Sequence, residues 1–362
     1  MLGRLPVRHA PGTAHRRARL RLQQHRLRAR QPHVRRDGRP VRGSDAGPRD
    51  ARASRDAVTA RRWPVAALAA TGSVALLVQI VAYGAWLTSG KLGPVRSIGP
   101  VPADVARNVH AAELTLVGLA AVWLVLVGWT SWQQRGLTWP LLWTAAWASA
   151  YWQEPLVNAR RRTFSFNDGF VNFGDWTTHL PFVPDSYQPL PEALLLEGLV
   201  FLALLPALTM VVAGLVGWLL RRGLGRAVAF VVGYVAVVAF DVCFELAGIS
   251  QDLLAYVEVG GPALRSGDPD QWPLYEGVAI GAAWAFPGLL TAARRDRGDA
   301  ACREVRPRWW GGRWATLVTL LAAVGVVNVV FGLYNAGYLA IMAGTVADQP
   351  PWLGGAVGLV AR

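Results

Sequence analysis

Asp241 and Glu245 stand four residues apart in an apolar run, so a helix there puts both carboxyls on one face. Carboxyls crowded in an apolar setting resist ionising together, so one tends to keep its proton while the other is charged. Such a pair can protonate a departing oxygen and steady the oxocarbenium-like cation left behind, as acid-catalysed acetal chemistry requires. It can equally load and unload protons in a coupled transporter. Spacing alone leaves both open. Four more acids lie in or beside apolar runs: Glu113, Glu154, Glu197 and Glu276.

Other kinds of centre find little support. Of six histidines, four precede residue 62, leaving His110 and His179. His110, three residues before Glu113, suits a hydrogen bond at a helix entry, and His179 is expected to be exposed or structural rather than a proton carrier. With two cysteines, Cys243 and Cys302, neither a disulfide framework nor a multi-histidine metal centre is expected. G-x-S-x-G, P-loop and H-E-x-x-H patterns are absent.

The elements that must position these acids are transmembrane. The chain is 53% hydrophobic and carries 17 Trp, the composition of an integral membrane protein. A span needs about 20 residues at about 1.5 Å each. Seven apolar runs qualify, near 65–87, 109–131, 137–153, 193–220, 227–249, 273–293 and 314–340. The expected fold is therefore all-α, a polytopic transmembrane helix bundle of about seven spans. The third is short and rich in Trp. Trp63, Trp86, Trp132, Trp139, Trp272, Trp309, Trp310 and Trp314 flank the runs as an interfacial belt would. No internal repeat is visible, which weakens a transporter built from inverted halves.

The net charge of +14 suggests nucleic acid until it is divided along the chain. Residues 1–62 hold 18 Arg against 4 Asp, the whole of that excess, and leave 19 basic and 19 acidic side chains beyond. No nucleic-acid partner is expected. The leader, 1–62, has too little apolar surface to offset the entropy of ordering it and reads as a disordered Arg-rich segment. It is either a tail drawn to anionic lipid or not native coding sequence, with translation starting at a non-Met codon such as Val58. The remaining organisation is a helical domain over 63–345, with a loop at 154–192, and a short tail at 346–362. Arginines cluster at 61–62, 135, 221–226 and 294–313, against fewer at the opposite ends, which places the N-terminus in the cytoplasm and the C-terminus outside. The triplet Arg160–Arg162 is the exception.

With that topology every intramembrane acid falls near the outer face. Glu113, Glu154 and Glu197 join Asp241, Glu245 and Glu276, and Asn328, Tyr334 and Asn335 lie on the outward half of the last run. Any one of these acids is more ordinarily a bond between neighbouring helices. As a set they predict an acid-lined pocket opening outward, roofed by 154–192. That loop holds Phe164, Phe166, Phe170, Phe173, Trp176 and Phe182, too much apolar surface for a tether. An interfacial segment seated at the headgroups by its aromatics would look similar.

The same loop carries a signature. Gln153-Glu154-Pro155-Leu156-Val157-Asn158, Phe164-Ser165-Phe166-Asn167, Val171-Asn172-Phe173-Gly174-Asp175-Trp176, Leu180-Pro181 and Pro191-Glu192 resemble the AveC-like spirocyclases, actinobacterial membrane proteins of polyketide secondary metabolism. Phe244-Glu245-Leu246 and Trp272-Pro273-Leu274-Tyr275-Glu276-Gly277 add to the likeness, which covers about 65–340 in layout. The chain departs from the family pattern at Glu154, at Ala159 or Arg160, at Asp175 and at Ala193; Glu154 keeps a carboxylate where the family has Asp. The resemblance implies dehydrative, stereoselective cyclisation of a dihydroxyketone, or of a related lipophilic substrate, with no cofactor. Glu245, Glu276 and Asp241 are the expected catalytic groups. Glu154, Asn158, Asn167, Asn172, Trp176, Glu113 and Glu197 are expected to bind substrate or order the lid. The partners are then a lipophilic small molecule and the bilayer. A non-enzymatic transporter or lipophile-binding protein with the same pocket is the rival, and a structural subunit of a membrane complex the third reading.

Overall fold

The computed structural model describes residues 48–90, 92–95, 99–183, 190–296, 314–341 and 344–353. Two compact units divide after Ser54. Of the first, residues 48–54 are described and are helical; the second, from Arg55, holds everything that follows. Residues 1–47 of the expected leader, Trp309, Trp310 and the tail beyond Leu353 lie outside the described residues.

Among the described residues six helices are long and apolar enough to cross a membrane. They are α1 (Pro48–Thr88, apolar from Trp63), α2 (Ala103–Gln134), the composite Leu194–Arg221, α6 (Arg226–Ile249), α7 (Leu274–Asp296) and α8 (Trp314–Ala340). Their outward faces carry bare aliphatics such as Leu77, Val125, Val231 and Leu333, the surface a helix offers to lipid.

The predicted third span takes another form. α3 (Trp139–Ala148) starts cleanly, with Thr138 capping Leu141 N–H and Pro140 in the first turn. It stops after ten residues, and Pro155 with the restricted Glu154 before it keeps Tyr151–Asn158 in a 3-10 winding. Ten α residues rise about 15 Å and eight 3-10 residues about 16 Å, which together match the hydrocarbon depth of about 30 Å. Irregular backbone at such depth needs protein partners. Trp176 Nε1 donates to Trp152 O at 2.7 Å and Asn335 Nδ2 to Gln153 O at 3.0 Å. Trp143 and Trp147 are buried here, donating to Thr291 and Thr209.

Hydrogen bonds between connections show which ends lie together. Val95, after α1, donates to Asn172 of the long loop at 2.7 Å. Val257, between α6 and α7, donates to Thr163 O, and its own carbonyl accepts from Ala347, after α8, both at 2.9 Å. These connections form one face of the bundle, here the lid face. Since α1 and α8 both end there, the chain passes through seven times, with residues 139–158 as the third passage.

Short antiparallel strands, absent from the all-α expectation, knit the lid face. β1 (Phe164–Phe166) pairs with β2 (Leu254–Tyr256), Phe164 opposite Tyr256 and Phe166 opposite Leu254. β3 (Glu258–Val259) pairs with β6 (Thr345–Val346), and β4 (Ala263–Leu264) with β5 (Trp272–Pro273). Arg161 of the exceptional triplet is inside this fabric: it pairs with Glu258 at 3.4 Å and donates to the carbonyls of Tyr338 and Ile341 at the end of α8. Its charge answers the helix terminus and the acid beside it.

Two features bring the helices close. A Cβ on Gly72 would sit 2.0 Å from Leu321 O, and one on Gly325 2.0 Å from Leu68 O, so α1 and α8 cross with backbones in contact. The composite span is α4 (Leu194–Leu199), a π turn (Val200–Leu204) and α5 (Leu205–Arg221). Pro206 has no N–H to give the carbonyl four residues back, and the widened turn before it absorbs the mismatch. The expected belt is partly corrected: Trp63, Trp132 and Trp314 are exposed, but Trp86 and Trp272 are buried. Trp86 packs edge-on to Trp176, and Trp272 hydrogen-bonds an acid of the site.

Candidate functional site

A cavity of about 70 Å³ lies between β1, β2 and the helices. At the roughly 30 Å³ that a water takes up in the liquid, that is room for about two waters. Four acids line it: Glu154 from the 3-10 segment, Glu197 from α4, Glu245 from α6 and Glu276 from α7. The rest of the wall is aromatic and aliphatic, with Phe164 and Phe166 from β1 and Tyr256 from β2 among the roof residues. Among the described residues no Lys, Arg or His lines it.

Each acid is placed by its helix. Glu245 lies in the penultimate turn of α6 and Glu276 in the first turn of α7. The two helices pack closely, Gly281 against Val238 and Gly277 against Val242. Both Glu245 oxygens are 2.8 Å from Tyr256 Oη, and Oε2 also accepts from Trp272 Nε1 at 2.6 Å. Glu276 Oε1 accepts from Tyr334 Oη at 2.7 Å, and Oε2 from the Tyr338 hydroxyl, both on α8. Asp241, one turn before Glu245, is fully buried and neither of its oxygens meets a hydrogen-bond donor. It stands behind the wall rather than in it.

Glu154 reaches Glu192, just before α4, and the two carboxyls share a hydrogen bond. Glu192 also accepts from Tyr151 Oη at 3.0 Å. Burial pushes the Glu192 carboxyl up to about 8, assisted by the nearby charges of Glu197 and Asp175. Burial likewise raises the Tyr256 hydroxyl well above its ordinary value, with the Glu245 charge adding to it. Tyr256 is therefore a hydrogen-bond donor that keeps its proton.

The other expected binding residues do not line the cavity. Asn158 Oδ1 accepts from the N–H groups of Thr163 and Phe164, both at 3.0 Å, and turns the chain into β1. Asn167 accepts from Gly169 N–H at 2.9 Å and donates to Asp252 O at 2.8 Å. Asn172 joins Val95 to the carbonyls of Asp168 and Phe170. Trp176 is 1% exposed and meets Tyr83, Trp86 and Tyr151 edge-on. Glu113 Oε1 accepts from Val171 N–H at 2.9 Å, with His110 3.9 Å from its other oxygen. These residues build the lid and fasten it to the bundle. His179 is in a 3-10 turn, half-buried and outside the cavity wall.

Sequence reasoning passed over Tyr256, Tyr338, Trp284 and Glu192 as site residues. Tyr338 follows Tyr334 by four, which puts both on the face of α8 turned to Glu276; that spacing is a legible signal. Tyr256 had none, because its place depends on pairing with β1.

No curated protein and no solved structure matches the chain. The profile of the family described as Spirocyclase AveC-like matches residues 118–354, from the middle of α2 past β6 and so across every acid of the cavity wall. That span exceeds half of the 362 residues, and the chain belongs to the AveC-like spirocyclase family.

Proposed function

We propose that this protein is a membrane-embedded spirocyclase that closes a dihydroxyketone of polyketide type, or a related lipophilic substrate, into a spiroketal by acid catalysis. The observation that carries the reading is the pair Glu245 and Glu276, each held by tyrosine hydroxyls, on a cavity wall that is aromatic and aliphatic apart from its acids. The lid face is outward, with the N-terminus cytoplasmic, following the arginine bias.

The hydrogen-bond inventory supports a division of labour. Glu245 and Glu276 accept bonds and act as carboxylates, whereas Asp241 meets no donor and is the carboxyl with a proton to give. One hydroxyl of the substrate adds to the ketone to form a hemiketal. Asp241, one turn away on the same face of α6, hands its proton to Glu245 through a bridging water, and Glu245 gives it to the hemiketal hydroxyl, which leaves as water. Glu276 steadies the resulting oxocarbenium ion. The second hydroxyl attacks the cation and returns its proton to the acid pair, so the cycle consumes no proton and releases one water. Closure against Phe164 and Phe166 on one side and the helices on the other selects the face attacked. A cavity of about 70 Å³ takes the reacting carbon and the oxygens on it, and the rest of the substrate must extend beyond it. The chemistry requires no cofactor.

Purified protein in detergent, given a panel of dihydroxyketones, should accelerate cyclisation and favour one spiroketal stereoisomer. If neither rate nor stereochemistry changes, the reading fails. Uptake of a lipophile into vesicles under a pH gradient, without turnover, would establish the transporter instead.

A further inference from the structure

An accounting of the cavity's hydrogen-bonding groups shows what its occupant must offer. Among the described wall residues the donors are three tyrosine hydroxyls and one indole. Tyr256 is spent on Glu245, and Tyr334 and Tyr338 on Glu276. Trp284 Nε1–H alone meets no acceptor, although Trp284 is only 7% exposed. Buried indole N–H groups ordinarily find a partner. Across the wall, Glu197 receives no hydrogen bond from any side chain or backbone group of the described residues. One donor, Trp284 N–H, and two acceptors, Glu197 and Glu154 Oε2, are thus uncommitted around a space of about 70 Å³.

We infer that Trp284 and Glu197 read the occupant as a polar pair: Trp284 N–H holds an ether, ketone or hemiketal oxygen, and Glu197 accepts from a hydroxyl. The ligand class is a neutral lipophile bearing an oxygen acceptor and a hydroxyl a few bonds apart. A lipophilic ammonium, all donor and no acceptor, would leave the indole unpaired. This rests on the spirocyclase reading for the source of the ligand, but the recognition is a separate property, because a binding protein for the same lipophiles would show it without turnover.

The test is direct binding of inert probes to the full chain in detergent. 2-(2-Hydroxyethyl)oxane and its carbocycle, in which the ring oxygen is CH₂, differ only in the acceptor. Wild type should bind the oxane about tenfold more tightly, the worth of one hydrogen bond to a buried donor. Trp284→Phe should bind the two equally, and Glu197→Gln should keep the preference for the ring oxygen. If Trp284→Phe does not fold, 3-benzothienylalanine at position 284 keeps the shape and removes only the N–H. Equal binding by wild type, or a preference that survives loss of the N–H, overturns the inference. Equal binding by wild type that nonetheless cyclises a dihydroxyketone would sink the inference and leave the spirocyclase reading standing; discrimination without turnover would do the reverse.

Discussion

The helix-borne wall and the lid are both rich in polar side chains, yet they use them differently. Asn158, Asn167, Asn172 and Trp176 of the lid bond mainly to backbone groups. Glu245 and Glu276 of the helices bond to hydroxyl and indole side chains and line the cavity. A side chain spent on backbone fixes a loop; a carboxyl held by movable protons at a cavity edge can exchange one. The residues that carry the family resemblance are thus most numerous in the lid, whereas the proposed chemistry rests on the helices. Substitutions should separate the two roles.

The largest effect is expected in the wall. Glu276→Gln keeps the shape and one acceptor oxygen but not the negative charge, and Glu245→Gln does the same on α6. Each should reduce the rate of spiroketal formation by about 10²–10⁴, the usual worth of a placed acid or base, while the detergent melting temperature changes little. A variant that melts early with residual activity in proportion to folded protein would make these acids structural, and the contrast with the lid would collapse.

The lid should answer in the opposite manner. Trp176→Ala empties a fully packed site beside Tyr83, Trp86 and Tyr151 and leaves Trp152 O without its donor. A cost of about 3–5 kcal/mol in stability is expected, read as a lower melting temperature, with per-molecule activity retained in whatever remains folded. Asn172→Ala should follow the same pattern at about 1–3 kcal/mol, because the Val95 N–H loses its acceptor. Activity lost without a change in melting would instead place these residues in the chemistry.

The division explains what could be read in the chain and what could not. Acids inside apolar runs stand out whatever surrounds them, so Glu245 and Glu276 were legible, as were six of the spans. The third passage was harder: a continuous apolar run does not reveal that Pro155 unwinds its second half or that Asn335 and Trp176 supply the missing bonds. Trp272 beside a helix start looks like an interfacial anchor, and only the approach of α6 turns its N–H toward Glu245. Tyr256 owes its position to β1, some ninety residues earlier, a pairing carried by three residues on each strand. Short strands of that length have no periodicity to detect. The pocket's acid layer was visible, while the donors that tune it came from tertiary contacts.

Glu192 blurs the boundary, and it gives the finest test. It belongs to the lid by sequence but meets Glu154 of the cavity wall and carries Tyr151 Oη. Burial raises its pKa from the ordinary 4.5 to about 8. The folded protein thus holds a proton across that window which the unfolded chain releases. Its contribution to stability is complete below about 4.5 and is lost as pH rises through about 8. The melting temperature of wild type in detergent should fall over that range, and Glu192→Gln, which cannot ionise, should show a shallower fall with near-wild-type stability at the acidic end. If cyclisation also loses its dependence on pH in this variant, Glu192 feeds protons to the wall. If only the melting curve flattens, it is a lid residue like the rest.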